Sequence, residues 1–510
     1  MSQSHHPITL RLKVVPAKPR GRRRLPWAVA LTIGAWLLAD PACGQDAAKR
    51  PLSKVRIAAD HHGFVTADGK PFFPWGVNYY RPDTGWAPQV WKQFDPQATR
   101  RDFARMKALG VNCVRVFLSY GSFLMEPDRV RKEGLEKFDE FLSIAESAGI
   151  YVHPTGPDAW EGLPGWACGD RIADEQVLRA KEVFWREFAR RYRGRAVIFA
   201  YDLRNEPAVA WDTPVMKTKW NAWIQSRFAT ADKAAQAWGV AAATISWGNQ
   251  EPPPARNSAD NRLLLDYQHF RESVAVEWTR RQAEAIKAAD SNALVTVGLI
   301  QSSIAALMPG VQHYAAFRPK QIAPFLDFLE IHYYPLESGF YEYADRQGEQ
   351  QNLACLESAV REVAATEKPV VVAEFGWYGG GKLTFDQGRH AAATEEQQAQ
   401  WCCNVVQTTR SLAVGWLNWG LFDEPTAKDC SQLSGLLTHD GKTKAWGRDF
   451  QRLGSSLPTR SSASLTMGPR PAMDWDRCVT STDACRQFRE AYFKAYLAEH
   501  GGDKPRTHGN

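Results

Sequence analysis

Eight short apolar runs between residues 72 and 423 constrain the fold of this chain more than any other feature. They are FFPWGVNYY (72–80), VNCVRVFL (111–118), IYVHPTG (150–156), VIFAYDLRNEP (197–207), ALVTVGLI (293–300), FLEIHYYP (328–335), KPVVVAEFGW (368–377) and VGWLNWGLFD (414–423). Each is a near-continuous block rather than a clean apolar–polar alternation. Such blocks suit strands covered on both faces, as in a parallel sheet. Segments with helical spacing separate them. ATRRDFARMKALG (98–110) sets Phe103, Met106 and Leu109 on one side and stops at Gly110, and LEKFDEFLSIAESAG (135–149) stops at Gly149. Glycine just past a last turn is a common stop, because it takes the left-handed conformation without a Cβ clash. Longer helical stretches are expected at 177–192, 267–290, 353–368 and 395–413. Eight strands alternating with helices predict an α/β (β/α)8 TIM barrel.

A barrel of this kind needs about 250 residues, and the span 51–455 is longer, so it carries insertions. The largest is 208–266, with WNAWIQSRFATADKAAQAWG followed by the loop NQEPPPARNS. Residues 456–510 read as a C-terminal extension: a Ser/Pro/Arg-rich strap, an amphipathic helix over ACRQFREAYFKAYLAEH, and a polar tail expected to be disordered. At the other end, Arg11, Lys13, Lys18, Arg20, Arg22, Arg23 and Arg24 precede LPWAVALTIGAWLLA (25–39) and then Ala42-Cys43-Gly44. That is the layout of a secretory signal peptide over 1–44, with cleavage after Gly44. The apolar stretch is shorter than the roughly 20 residues that span a bilayer. Export to the periplasm or exterior, without stable membrane insertion, is the expectation.

The leader contributes +6 of the formal +7 charge, so the remainder is nearly neutral and offers no basic face to nucleic acid. Of nine cysteines, eight remain after Cys43, and Cys478 and Cys485 are spaced to close a small loop. No Cys/His cluster has zinc spacing. Neither a metal nor a cofactor is expected.

Chemistry in such a barrel sits where the strands exit. The polar residues near the ends of the runs are Arg115, His153, Asn205 with Glu206, His332 with Tyr334, Glu374 and Trp419. Each alone has a structural explanation: half of a buried ion pair, a satisfied core histidine, packing. Together they place two carboxylates and an arginine in one mouth, and buried charge is too costly to gather there without a reason. Two carboxyl groups about 5–5.5 Å apart suit a retaining glycosidase, one as nucleophile and one as acid/base. Pro207 helps to end the fourth strand, since it has no N–H to give the ladder.

YDLRNEP, VVVAEFGW, IHYYP and VNCVRVF resemble, in order, the fourth-, seventh-, sixth- and second-strand motifs of clan GH-A glycoside hydrolases, most closely the family 5 cellulases and mannanases. The segment RFATADKAAQAWG resembles a helical part of family 42 β-galactosidases. The resemblance spans residues 60–455 and implies a retaining hydrolase of β-linked sugars, of the mannan, glucan or galactoside class. It implies Glu206 as acid/base, Glu374 as nucleophile, Asn205 on the 2-hydroxyl, Arg115 and Tyr334 on the nucleophile, His153 and His332 lining the site, and Trp419 as a sugar platform. Gly420 departs from family 5, where serine is frequent. Trp86, Trp160, Trp166 and Trp377 stand in the loops, each a candidate sugar platform and equally a candidate packing residue. The partner expected is an oligo- or polysaccharide. A non-catalytic carbohydrate-binding barrel is the alternative, and a metal-dependent barrel hydrolase is disfavoured because WGVNYY carries no histidine.

Overall fold

The structure, a computed structural model, describes residues 51–84, 89–335, 341–343, 345–385, 387–457 and 468–500. The expected leader, Trp86 and the polar tail lie outside the described residues. All eight apolar runs form strands: β1 Trp75–Asn78, β2 Cys113–Ser119, β3 Tyr151–Asp158, β4 Tyr201–Asn205, β5 Val295–Leu299, β6 Leu329–Tyr333, β7 Val370–Phe375 and β8 Gly415–Trp419. They pair in parallel with their sequence neighbours, and β8 pairs with β1 to close the barrel. Every residue in these eight strands is buried, which is why the runs lack an alternating pattern.

The helices begin and stop for local reasons. Asp95 caps Pro96–Ala108 by accepting from the amides of Gln97 and Ala98, and proline at the first helical position gives up no hydrogen bond. Lys132–Ala148 ends on Gly149 at φ 72°. The insertion forms two helices, Pro214–Phe228 and Ala231–Trp238, before the long helix Arg262–Ala289. Trp220 and Trp223 are packing residues: Trp220 stacks at 5.3 Å on Trp223 and meets Tyr267 and Phe270 of the long helix.

Two features were not legible in the runs. Three short antiparallel strands, Val55–Ile57, Phe64–Thr66 and Pro71–Phe72, precede the barrel. Phe64 stands edge-on to Phe199 and Phe328, each at 5.1 Å, and joins Cys113, Tyr151 and Leu417 in a small apolar cluster. Most of these partners lie at or just before the starts of barrel strands, so the cluster is the floor opposite the mouth. The second feature is the docking of the C-terminal extension. Trp475 donates to Glu272 at 3.2 Å, Gln268 donates to the Val479 carbonyl at 2.7 Å, and Tyr492 of the helix Thr482–His500 donates to Glu357 at 2.9 Å. The eight described cysteines are free thiols, and the Cys485 thiol donates to the Cys478 carbonyl at 3.2 Å. The small loop is therefore closed by packing and hydrogen bonding rather than by a disulfide.

Truncating a buried phenylalanine removes apolar burial and leaves a cavity. Phe64→Ala should lower stability by about 3 kcal/mol in denaturant unfolding. A loss under about 1 kcal/mol would show that the floor sheet is not needed to seal the barrel.

Candidate active site

The mouth is organised by one guanidinium. Arg115, mid-β2 and wholly buried, donates from Nη1 to Glu374 Oε1 at 2.6 Å and to Asn78 Oδ1 at 2.9 Å. Its Nη2 donates to Asp202 Oδ2 at 2.7 Å and to Asn205 Oδ1 at 2.9 Å, and Nε reaches Asp202 Oδ2 at 3.2 Å. Burial works against the charge of Arg115, but Asp202 and Glu374 outweigh it and hold the group firmly protonated. Because Asn205 spends its oxygen on the arginine, its NH₂ remains as a donor near the mouth.

Glu374 is held from both sides. Oε1 meets Arg115, and Oε2 accepts from the Tyr334 hydroxyl at 3.1 Å. Burial raises its carboxyl above the ordinary value, His332 and Arg115 oppose the rise, and Glu206 adds to it. Glu206 has no contact with the guanidinium. Its Oε1 lies 3.0 Å from His332 Nδ1, and 28% of its side chain stays open to solvent. Burial of the carboxyl group pushes it up to about 7; Arg115 at a distance opposes this and Asp158 reinforces it. His332 Nδ1 lies 3.5 Å from Glu374 as well, and burial lowers the imidazole's proton affinity, so it stands neutral between the two acids. Glu206, His332 and Glu374 each present an atom within 4.8 Å of the others.

The local chain explains these positions. β4 stops at Asn205, Glu206 takes φ +44°, and Pro207 follows, so the strand turns out of the ladder at the acid. Beneath it, a Cβ on Gly298 would lie 2.8 Å from Arg115 Nη2 and 3.0 Å from His332 Nε2. Only glycine lets β5 pass the arginine so closely. Gly420 answers to a similar limit: a Cβ there would lie 2.9 Å from the Tyr80 ring and 3.1 Å from the Asn78 carbonyl.

Arg115, Asn205, Glu206, His332, Tyr334 and Glu374 thus come together. Trp419 ends β8 nearby, its ring 5.3 Å from Tyr80 and 5.8 Å from Phe117, with Nε1 donating to Ser431 at 2.8 Å. His153 does not line the mouth. It sits early in β3, fully buried, with Nδ1 donating to the Ala200 carbonyl at 2.9 Å and Nε2 2.6 Å from Glu330 Oε1. Glu330 raises its proton affinity against the opposing effect of burial. The run IYVHPTG (150–156) put His153 near a strand exit, but β3 continues through Pro154 and Pro157 to Asp158. Pro154 has no N–H to donate, and β3–β4 pairing is reduced to Thr155 with Asp202 and an isolated bridge at Val152. Trp166 hydrogen-bonds the Met125 carbonyl at 2.8 Å and Trp377 is nearly buried, so packing accounts for both.

Asp202 and Asn78 were missed, although the signal was present: each is a polar residue inside a run that is otherwise apolar. Among the described residues, two groups have donor atoms close enough for a metal, Glu206/His332/Glu374 and His153/Asp202/Glu330. In each, one carboxylate already meets Arg115, a fixed positive charge that competes with a cation.

Fold and site together define a clan GH-A glycoside hydrolase. The chain belongs to glycoside hydrolase family 42, whose family model, described as β-galactosidase, matches residues 173–457. The family 5 cellulase model matches residues 65–270. A probable β-galactosidase E of Aspergillus fumigatus is 28% identical over 175 residues, 32% of this chain but 16% of that protein. The chain therefore spans only a small part of this curated relative's length. Among solved structures, an exo-β-1,4-mannosidase from Opitutaceae bacterium strain TAV5 aligns at TM-score 0.57 and 18% identity, covering 79% of this chain and 62% of that one. A β-galactosidase from Rahnella sp. R3 aligns at TM-score 0.59 and 16% identity, covering 82% and 63%. Likeness at that identity concerns the fold.

Asp202→Asn would keep the shape beneath Arg115 and remove the charge that meets two of its nitrogens. The expected loss is about 3 kcal/mol in denaturant unfolding, and a loss under about 1 kcal/mol would show that Glu374 alone suffices as counter-ion.

Proposed function

We propose that this chain is an exported retaining glycosidase acting on β-linked sugars, with Glu374 as nucleophile and Glu206 as acid/base. The observation that carries the reading is the asymmetry between two facing carboxyl groups. Glu374 is met by Arg115 and Tyr334 at 2.6 and 3.1 Å, while Glu206, pushed up to about 7 by burial, has no direct cationic partner. A carboxyl that keeps its proton near neutrality serves as general acid, and one clamped by donors serves as nucleophile. Their oxygens approach within 4.8 Å, which supports direct displacement by the protein, whereas an inverting pair stands about 6.5–9.5 Å apart.

In the first step, a Glu374 oxygen attacks the anomeric carbon as Glu206 gives its proton to the departing oxygen. A glycosyl ester forms on Glu374. In the second step Glu206, now a carboxylate, takes a proton from water as that water displaces Glu374, and the starting protonation is restored. The Asn205 amide is placed for the 2-hydroxyl of the reacting sugar, His332 lines the space between the acids, and Trp419 offers a face to the ring. The matched families and named relatives point to galactosides and mannosides, with β-glucan as a further class. Cleavage after Gly44 would release the mature enzyme outside the cytoplasm.

Glu374→Ala should abolish turnover of aryl β-glycosides while leaving the unfolding transition in place; activity near the parent level would remove it as nucleophile. Glu206→Ala should lower kcat/KM by about 10²–10⁴-fold on poor leaving groups, with azide restoring turnover of activated substrates as the β-glycosyl azide. The pH profile carries a sign: the acid must be protonated, so kcat/KM on poor leaving groups should fall as pH rises through about 7. A profile level well beyond that pH would show that Glu206 does not deliver the proton.

A further inference from the structure

Behind the end of β4, four side-chain donors are buried and have no hydrogen-bond acceptor among the described residues: Lys181 Nζ, Arg204 Nε, Tyr120 Oη and Trp278 Nε1. Buried donors in folded proteins are almost always satisfied, by protein, ordered water or an ion. These come from separate elements that meet here. Lys181 lies on the helix Glu175–Arg191, Trp278 on Arg262–Ala289, Arg204 on β4, and Tyr120 just past β2. Lys181 Nζ stands 5.0 Å from the Trp278 ring centroid and 6.0 Å from that of Tyr120.

The charge of the group is unbalanced. Arg204 Nε lies 3.6 Å from Asp158 Oδ2, and Arg171 Nη1 lies 3.3 Å from Asp158 Oδ1, so two guanidiniums share one carboxylate. The excess charge is that of the two guanidiniums, and Lys181 adds a buried donor whose own charge the site disfavours. Burial lowers its proton affinity well below the ordinary value, Arg204 and Arg171 lower it further, and Asp158 opposes them. Water would satisfy the donors but leave the excess positive charge. A single negative charge satisfies both. Lys181, Tyr120 and Trp278 are closed to solvent, while the Arg204, Asp158 and Arg171 side chains are 10%, 11% and 31% exposed, so a small anion suits the site better than a bulky one.

We infer that Lys181, Arg204, Tyr120 and Trp278 form a buried site for a small monovalent anion of the halide class, behind the strand end that carries Asn205 and Glu206. Bound there, the anion ties the long insertion-following helix to β4 and holds the Arg204 side chain immediately before the two mouth residues. The site is separate from the sugar-binding mouth, and its existence does not depend on the glycosidase reading.

The test uses the full chain with bromide, which scatters anomalously, and with chloride against gluconate at equal ionic strength. Crystals grown in sodium bromide should show an anomalous peak in contact with Lys181 Nζ. Chloride should raise Tm by about 2 °C or more relative to gluconate. Lys181→Met should lose both the peak and the chloride-specific shift. Trp278→Phe, which removes one donor and keeps an aromatic ring, should reduce the shift, and it serves if Lys181→Met does not fold. A water molecule in place of the peak at high bromide, a peak only elsewhere, or equal Tm in chloride and gluconate would overturn the inference.

Discussion

The site depends on keeping one fully buried guanidinium charged. Arg115 meets Asn78 of β1, Asp202 and Asn205 of β4, and Glu374 of β7, so a single side chain joins four strands across the barrel interior. Removing such a charge from water costs several kcal/mol, and only good geometry with every donor used makes it tolerable. That requirement fixes positions as well as charge. β5 must carry glycine at 298, and the Asn205 amide can turn only one way if its oxygen serves the arginine.

The same arginine makes the two acids unlike. Contact with Nη1 commits Glu374 to a fixed orientation, while Glu206 stands one step away with neutral His332 between them. Neither burial nor mutual repulsion would distinguish two equivalent carboxyl groups. Unequal access to a cation does, and it is the difference on which the proposed roles of the two carboxyl groups rest. Below this layer a second polar pair, His153 with Glu330, fills the interior where an apolar plug would otherwise sit. The φ of +44° at Glu206 is uncommon for a residue with a side chain, and it occurs where the strand gives up its ladder to present the acid.

Several parts of this arrangement could be read along the chain. The eight runs were legible because strands buried on both faces leave unbroken apolar blocks, and the main helices because glycine and capping residues bound their periodic segments. Glu206, Glu374, Arg115, Asn205, His332 and Tyr334 were legible as polar interruptions near run ends. His153 was grouped with them by the same reasoning, yet β3 runs on past it to Asp158 with thinned pairing. Asp202 and Asn78 were passed over because they lie inside their runs, where a polar residue gives no hint of its partner.

The sequence by itself determined the alternation of strand and helix, and with it the barrel and the end of the barrel where polar groups collect, because periodicity and turn chemistry act over a few residues. Only the tertiary structure decided which carboxylate the arginine clamps, how the floor sheet and the C-terminal helix dock, and where Lys181, Arg204, Tyr120 and Trp278 meet. Those outcomes rest on contacts between residues far apart in the chain, and on distances of a few ångströms that no local pattern encodes.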